Sequence, residues 1–133
     1  MEVFRIAQDK FSKSFAASGK AARWNKDNQY VLYTGSSRAL STLENIVHFN
    51  SVQPTLDYKV MIISFADIDN LITQVLIDDL PPNWREDVSY PALREIGSKW
   101  YLSNQSLILK VPSSIIIREF NYIINTKHKD FKK

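Results

Sequence analysis

Apolar and polar positions recur along this chain in short blocks whose period changes often. Val3–Ile6 is a β-rich run and predicts a strand that carries Arg5. Phe11 and Phe15 stand one helical turn apart and predict a turn that buries two rings, ended by Ser18-Gly19. After a polar turn over 26–29, Tyr30-Val31-Leu32-Tyr33-Thr34 predicts a strand. Gly35 breaks it, and Ser36 or Ser37 can cap a helix running to about Phe49. In that helix Ala39, Leu40, Leu43, Ile46 and Val47 form one apolar arc. Glu44 falls beside Leu40 on the border of the arc, which predicts a half-buried carboxylate, with His48 one turn further along.

Asp57–Phe65 predicts another strand. Asp67 and Asp69 are candidate caps for a short helix over Leu71–Leu76. Leu80-Pro81-Pro82-Asn83-Trp84 is a rigid turn with an aromatic anchor. Ser89-Tyr90-Pro91 predicts a helix start. The helix runs to about Tyr101, with Leu93, Ile96 and Trp100 on one face and Gly97 marking a close contact. Ser106–Val111 predicts a strand, Pro112-Ser113-Ser114 interrupts it, and Ile115–Phe120 resumes it. Repeats, low-complexity blocks and linkers are absent. Strands and helices mix without a regular βαβ rhythm, which predicts an α+β fold with a mixed sheet core and flanking helices.

A length of 133 residues fits one domain over 1–133 with its own core. Apolar residues make up 44% and charged residues 23%, the balance of a globular chain. Without cysteine, disulfide and thiolate chemistry are excluded, and the composition fits a reducing cytoplasm. The N-terminal MEVFRIAQDKF has neither the apolar core nor the cleavage site of a signal peptide. The apolar runs Val60–Ile63 and Ile115–Ile117 are too short to span a bilayer, so no membrane association is expected. The net charge of +3 is mild. Lys127, Lys129, Lys132 and Lys133 read as a solvated tail in preference to a nucleic-acid surface.

The chemistry concentrates between Arg23 and Glu44. With only two histidines, His48 and His128, and no HxxxH or HExxH spacing, no metal site is expected. Walker and GxGxxG loops are missing, as is a GxSxG elbow, which disfavours a classical dinucleotide fold. Arg23 stands between an apolar dipeptide and Trp24; its planar fork suits phosphate, and it equally suits a structural ion pair. Tyr33 could stack on a planar ring or fill the core. Glu44 could stabilise developing positive charge or serve as a solvated helix carboxylate. Ser113, after a proline in an apolar stretch, reads first as a hydroxyl that caps backbone.

The segments A-R-W-N, V-L-Y-T-G-S-S-R-A-L-S-T-L-E-N-I-V-H, L-P-P-N-W, I-G-S-K-W, V-P-S-S and N-Y-I-I-N-T-K-H-K-D-F, in that order, resemble the RES domain family, named for its Arg, Glu and Ser. The likeness runs from about Phe4 to Phe131. It implies an ADP-ribosyltransferase-like fold and the toxin half of a bacterial toxin–antitoxin pair. It also implies a reaction on NAD⁺ as substrate, without metal or further cofactor: cleavage of the nicotinamide–ribose bond, or transfer of ADP-ribose to a protein. The implied partner is an Xre-type antitoxin with a helix-turn-helix domain, in a hetero-oligomer that meets DNA only through the antitoxin. Matched by motif, Arg23 is the family arginine, Tyr33 the tyrosine, Glu44 the glutamate and Ser113, or the adjacent Ser114, the serine. Arg5 matches a second arginine. In that frame Arg23 and Arg5 hold the pyrophosphate, Tyr33 stacks on nicotinamide, Glu44 stabilises the ribose cation and Ser113 orients the nicotinamide or ribose. Ala21-Ala22 stands where many relatives carry Gly-Gly, a departure at the nucleotide cleft. A binding module without catalysis, using the same cleft for a nucleotide or an antitoxin tail, is the rival reading.

Overall fold

In the computed structural model, which describes residues 1–8, 17–49, 58–65, 69–116 and 118–131, the period-two runs become the strands of one sheet. They are β1 (Glu2–Gln8), β2 (Val31–Gly35), β3 (Tyr58–Ser64), β4 (Ile72–Gln74), β5 (Ile108–Pro112) and β6 (Phe120–Asn125). Their order across the sheet is β3-β1-β2-β6-β5-β4. Every pairing is antiparallel except β4 with β5. Helices α1 (Arg38–Phe49) and α2 (Tyr90–Ser103) flank the sheet, with three short 3-10 turns among the described residues, and the fold is α+β as expected.

Strand alternation gives the sheet two apolar faces, and each builds a core. Leu109 and Ile123, a cross-strand pair, lie on the face covered by Trp24, Trp84, Leu93 and Trp100. Ile108 and Ile124, also paired, lie on the other face with Val3, Leu32 and Tyr122. Burying each large apolar side chain is worth about 1.5–3 kcal/mol, so the paired faces dominate the stability.

Both helix starts match the sequence reading. Ser37 Oγ accepts from the Leu40 N–H at 3.0 Å, closing the first turn of α1. Pro91 sits in the first turn of α2, where its missing N–H costs nothing. Gly97 is a contact glycine: a Cβ there would lie 1.6 Å from the Trp24 carbonyl oxygen. Gly35 works the same way for α1, since a Cβ would lie 2.7 Å from Ser41 Oγ. It closes β2, and its bare face lets α1 sit down on the sheet.

Four expectations need correction. The helix predicted over Leu71–Leu76 is a 3-10 turn, Asp69–Leu71, followed by β4. A β-branched pair, Ile72-Thr73, joins the parallel ladder with β5, and that pairing overrides the local helix pattern. Ile115–Phe120 is not one resumed strand. Residues 114–116 bend, Arg118 takes a left-handed φ of 70°, and the strand proper is β6. Lys127 and Lys129 are exposed, but their segment is no loose tail. Thr126 bonds back to the Tyr30 carbonyl, His128 is buried, and Phe131 packs on the second core. In α1, Leu40 is buried while Ala39 and Leu43 are exposed, so the arc is narrower than read. The Phe11/Phe15 turn, the Asp57 start of the third predicted strand, the Asp67 cap, and the side chains of Ile46, Val47 and His48 lie outside the described residues.

Candidate active site

The site is built on the face of β2 and β6 that carries Tyr33 and Ile123. Gly35 pairs with Asn121, and Asn121 pairs with Val111 on β5. One row along lie Tyr33, Ile123 and Leu109. α1 crosses above Gly35, and this places Glu44 over Asn121. The Asn121 side-chain amide donates to Glu44 Oε2. Glu44 is half-buried, as its position on the border of the apolar arc predicted. A donated amide hydrogen bond restricts the carboxylate to one rotamer.

Tyr33 is held at both ends. Its ring packs against the first core, its hydroxyl accepts from the Trp24 N–H at 3.1 Å, and it donates to Asn25 Oδ1. Burial holds this phenol well above its usual range, against the lowering pull of the Trp24 N–H and the charges of Arg94 and Arg23. The core-aromatic reading therefore describes the hydroxyl end of Tyr33, which locks the turn carrying Arg23 to the strand.

Arg23 points at the other wall. Its Nη1 donates to the Trp84 carbonyl at 3.1 Å and its Nη2 to the Arg85 carbonyl at 3.5 Å. The guanidinium lies 4.8 Å from the centroid of the Tyr90 ring, and its buried Nε has no hydrogen-bond partner. It is neither a surface arginine nor part of an ion pair among the described residues: it pins the Pro-Pro turn to the site.

Ser113 lies one row beyond Val111 on the same face, with its N–H on the Glu119 carbonyl at 2.9 Å. Its buried Oγ accepts from the Ile115 and Ile116 N–H groups, both at 3.1 Å. The capping hydroxyl read from the sequence is thus present, and among the described residues its Oγ–H has no acceptor. Ser114, next to it, is half-buried. Arg5 stands apart. It shares the face of Val3, opposite Asn121 and Glu44, and donates from Nη1 to the Tyr33 carbonyl at 3.3 Å. Strand β1 meets β2 only at Phe4 and Gly35, and Arg5 bonds beside that seam. Burial lowers its pKa from the ordinary arginine value.

The structure therefore brings Arg23 to Tyr33 through the Trp24 N–H, and sets Glu44 between the rows of Tyr33 and Ser113. It leaves Arg5 behind the sheet plane. Missed by sequence reasoning were Asn121, which holds Glu44, and a buried polar network under the Arg23 turn. In that network Asn25 Nδ2 donates to the carbonyls of Lys20, Lys26 and Gln29, and Gln29 Nε2 donates to Ser98 Oγ at 2.7 Å. A cluster of Asn and Gln between apolar runs reads as a loop; only closure of the fold makes it an interior scaffold. Among the described residues, no helix is long and apolar enough to cross a membrane.

The RES domain family model matches residues 2–133, and the chain belongs to that family. Two relatives named Toxin Res are similar over the whole chain. That of Yersinia enterocolitica is 30% identical over 99% of this chain and 88% of its own length. That of Photorhabdus laumondii is 33% identical over 100% and 86%. A Sphingobium protein named Prs ADP-ribosylating toxin is 34% identical over 83% of this chain and 69% of its own.

Proposed function

We propose that this protein is the toxin of a bacterial toxin–antitoxin pair and that it cleaves the nicotinamide–ribose bond of NAD⁺. The observation that supports this best is Glu44, a half-buried carboxylate held by Asn121 one row along the sheet from Tyr33. In the reaction the C–N bond breaks and its electron pair returns to the nicotinamide nitrogen, leaving an oxocarbenium-like ribose. Water then gives ADP-ribose and a proton, or phosphate gives the phosphorylated sugar. Glu44 stabilises the developing cation and holds a ribose hydroxyl. Arg23 lends its charge to the diphosphate, Arg5 supports β2 from the opposite face of the sheet, Tyr33 borders the nicotinamide, and the Ser113 hydroxyl donates a hydrogen bond to the nicotinamide or ribose. Preorganised electrostatics of this kind contributes about 3 kcal/mol per contact, roughly a hundredfold or more in rate.

Transfer of ADP-ribose to a protein is the second reading, favoured by the Sphingobium relative named for it. A cleft that binds a nucleotide or an antitoxin tail without reacting is the third. Under each, an Xre-family antitoxin with a helix-turn-helix domain binds the toxin in the cytoplasm and supplies the contact with DNA.

NMR of NAD⁺ incubated with wild type and with Glu44→Gln, with and without phosphate, tests the proposal. Release of nicotinamide by wild type, and a loss of about a hundredfold or more in Glu44→Gln with the fold retained, is the expected result. The second product names the acceptor. Equal rates in the two proteins would remove Glu44 from the chemistry, and no release from either would turn the reading to a protein acceptor or to binding alone.

A further inference from the structure

Two guanidiniums share the Tyr90 ring. Arg23 lies 4.8 Å from its centroid and Arg94, on α2, lies 5.2 Å away. Arg94 spends its Nε on the Ala22 carbonyl at 2.6 Å, so it is anchored to the same turn that carries Arg23. Both arginines are half-buried, and neither makes an ion pair among the described residues. The nearby acid Glu95 is taken by Lys26. Glu86 and Asp87, next in the Pro-Pro turn, form no described ion pair with either arginine.

Two cations that converge on one neutral ring without a carboxylate repel each other, and cation–π attraction offsets this only in part. Such a pair is completed by an anion. The geometry also divides the labour. Arg23 already directs Nη1 and Nη2 at carbonyls of the Pro-Pro turn, whereas both terminal nitrogens of Arg94 have no described hydrogen bond. Those nitrogens form the edge that matches two phosphoryl oxygens. The cluster also borders the floor of the site, because the charges of Arg94 and Arg23 both act on the Tyr33 hydroxyl.

Resting on the dinucleotide reading above, we infer that Arg94 is a second diphosphate-binding arm, making the direct contact while Arg23 braces the turn and adds charge. The ligand class is a nucleoside diphosphate ester, bound with its phosphates against Arg94 and Tyr90.

Calorimetric titration of ADP-ribose and of adenosine into wild type, Arg94→Gln and Arg94→Lys tests this. Wild type should bind ADP-ribose more tightly than adenosine, with an affinity that falls as salt rises. Arg94→Gln should lose about tenfold or more for ADP-ribose and nothing for adenosine, since charge-assisted hydrogen bonds are lost only where phosphate is present. Arg94→Lys, which keeps the charge but not the fork and guards against misfolding of the glutamine variant, should fall between. An equal loss for both ligands would make Arg94 structural and overturn the inference. So would unchanged ADP-ribose affinity in Arg94→Gln, or a wild type that binds ADP-ribose no better than adenosine. If diphosphate binding follows Arg94 but NAD⁺ stays intact, the arm stands and the cleavage reading falls; if NAD⁺ is cleaved and Arg94→Gln binds as wild type, the reverse holds.

Discussion

At the scale of single residues, the side chains marked by the sequence have different degrees of freedom left for chemistry. Tyr33 and Ser113 spend most of their hydrogen-bonding capacity on backbone and on Asn25. Glu44 is held by an amide that faces the same cleft. That amide is the more informative neighbour, because a neutral donor orients a carboxylate without cancelling its charge. Replacing it tests orientation apart from charge. Asn121→Ala should lower kcat by about tenfold while KM for NAD⁺ changes little, the cost of about one charge-assisted hydrogen bond. Added to Glu44→Gln it should lower kcat no further, since two groups that act through one interaction are not additive. Steady-state kinetics of the single and double variants check this, and full additivity would separate Asn121 from Glu44.

At the scale of elements, the junction of α2 with the Arg23 turn holds the site together. The Trp24 carbonyl sits where a side chain on Gly97 would be, and the Ala22 carbonyl accepts from Arg94 two residues before it in the turn. Gly97→Ala cannot be absorbed by a flexible side chain, because backbone would have to move. A loss of about 3 kcal/mol or more is expected, at the upper end for overpacking, read as a lower Tm. Tyr33 tracks the same junction through the Trp24 N–H, so near-ultraviolet dichroism should change with it. A Gly97→Ala protein with wild-type Tm would show that α2 and the turn are not in contact. Lys26 and Glu95 bridge the same two elements at the surface, where solvent screening leaves little stability.

At the scale of the whole molecule, burial of Tyr33 couples folding to high pH. Its folded pKa is raised, with burial as the first cause, so the neutral phenol is the form the fold accommodates. This stability is fully present below the unfolded tyrosine value of about 10 and is lost as pH rises through the folded value. Tyrosinate absorbance should therefore show Tyr33 ionising only together with loss of dichroism. A Tyr33→Phe protein should lose that late step. Ionisation of every tyrosine before unfolding would contradict the burial.

The sequence by itself determined the pieces whose signal is local. These are the strand over Tyr30–Thr34, which the fold places one residue later, the Ser37 cap, the helix behind Pro91, the contact at Gly97, the half-buried position of Glu44 and the ordered motifs of the RES family. Each depends on neighbours a few residues apart, or on side chains that read alike in any member of the family. Tertiary structure decided the rest. It turned Leu71–Leu76 into a parallel edge strand by pairing it with β5, and it set β6 at the centre of the sheet. It sent the Arg23 Nη groups to carbonyls some sixty residues away, placed Asn121 under Glu44, and gathered Arg94 beside Arg23. These depend on strand register and on which backbone groups lack partners after the chain closes, and neither is a property of any one stretch.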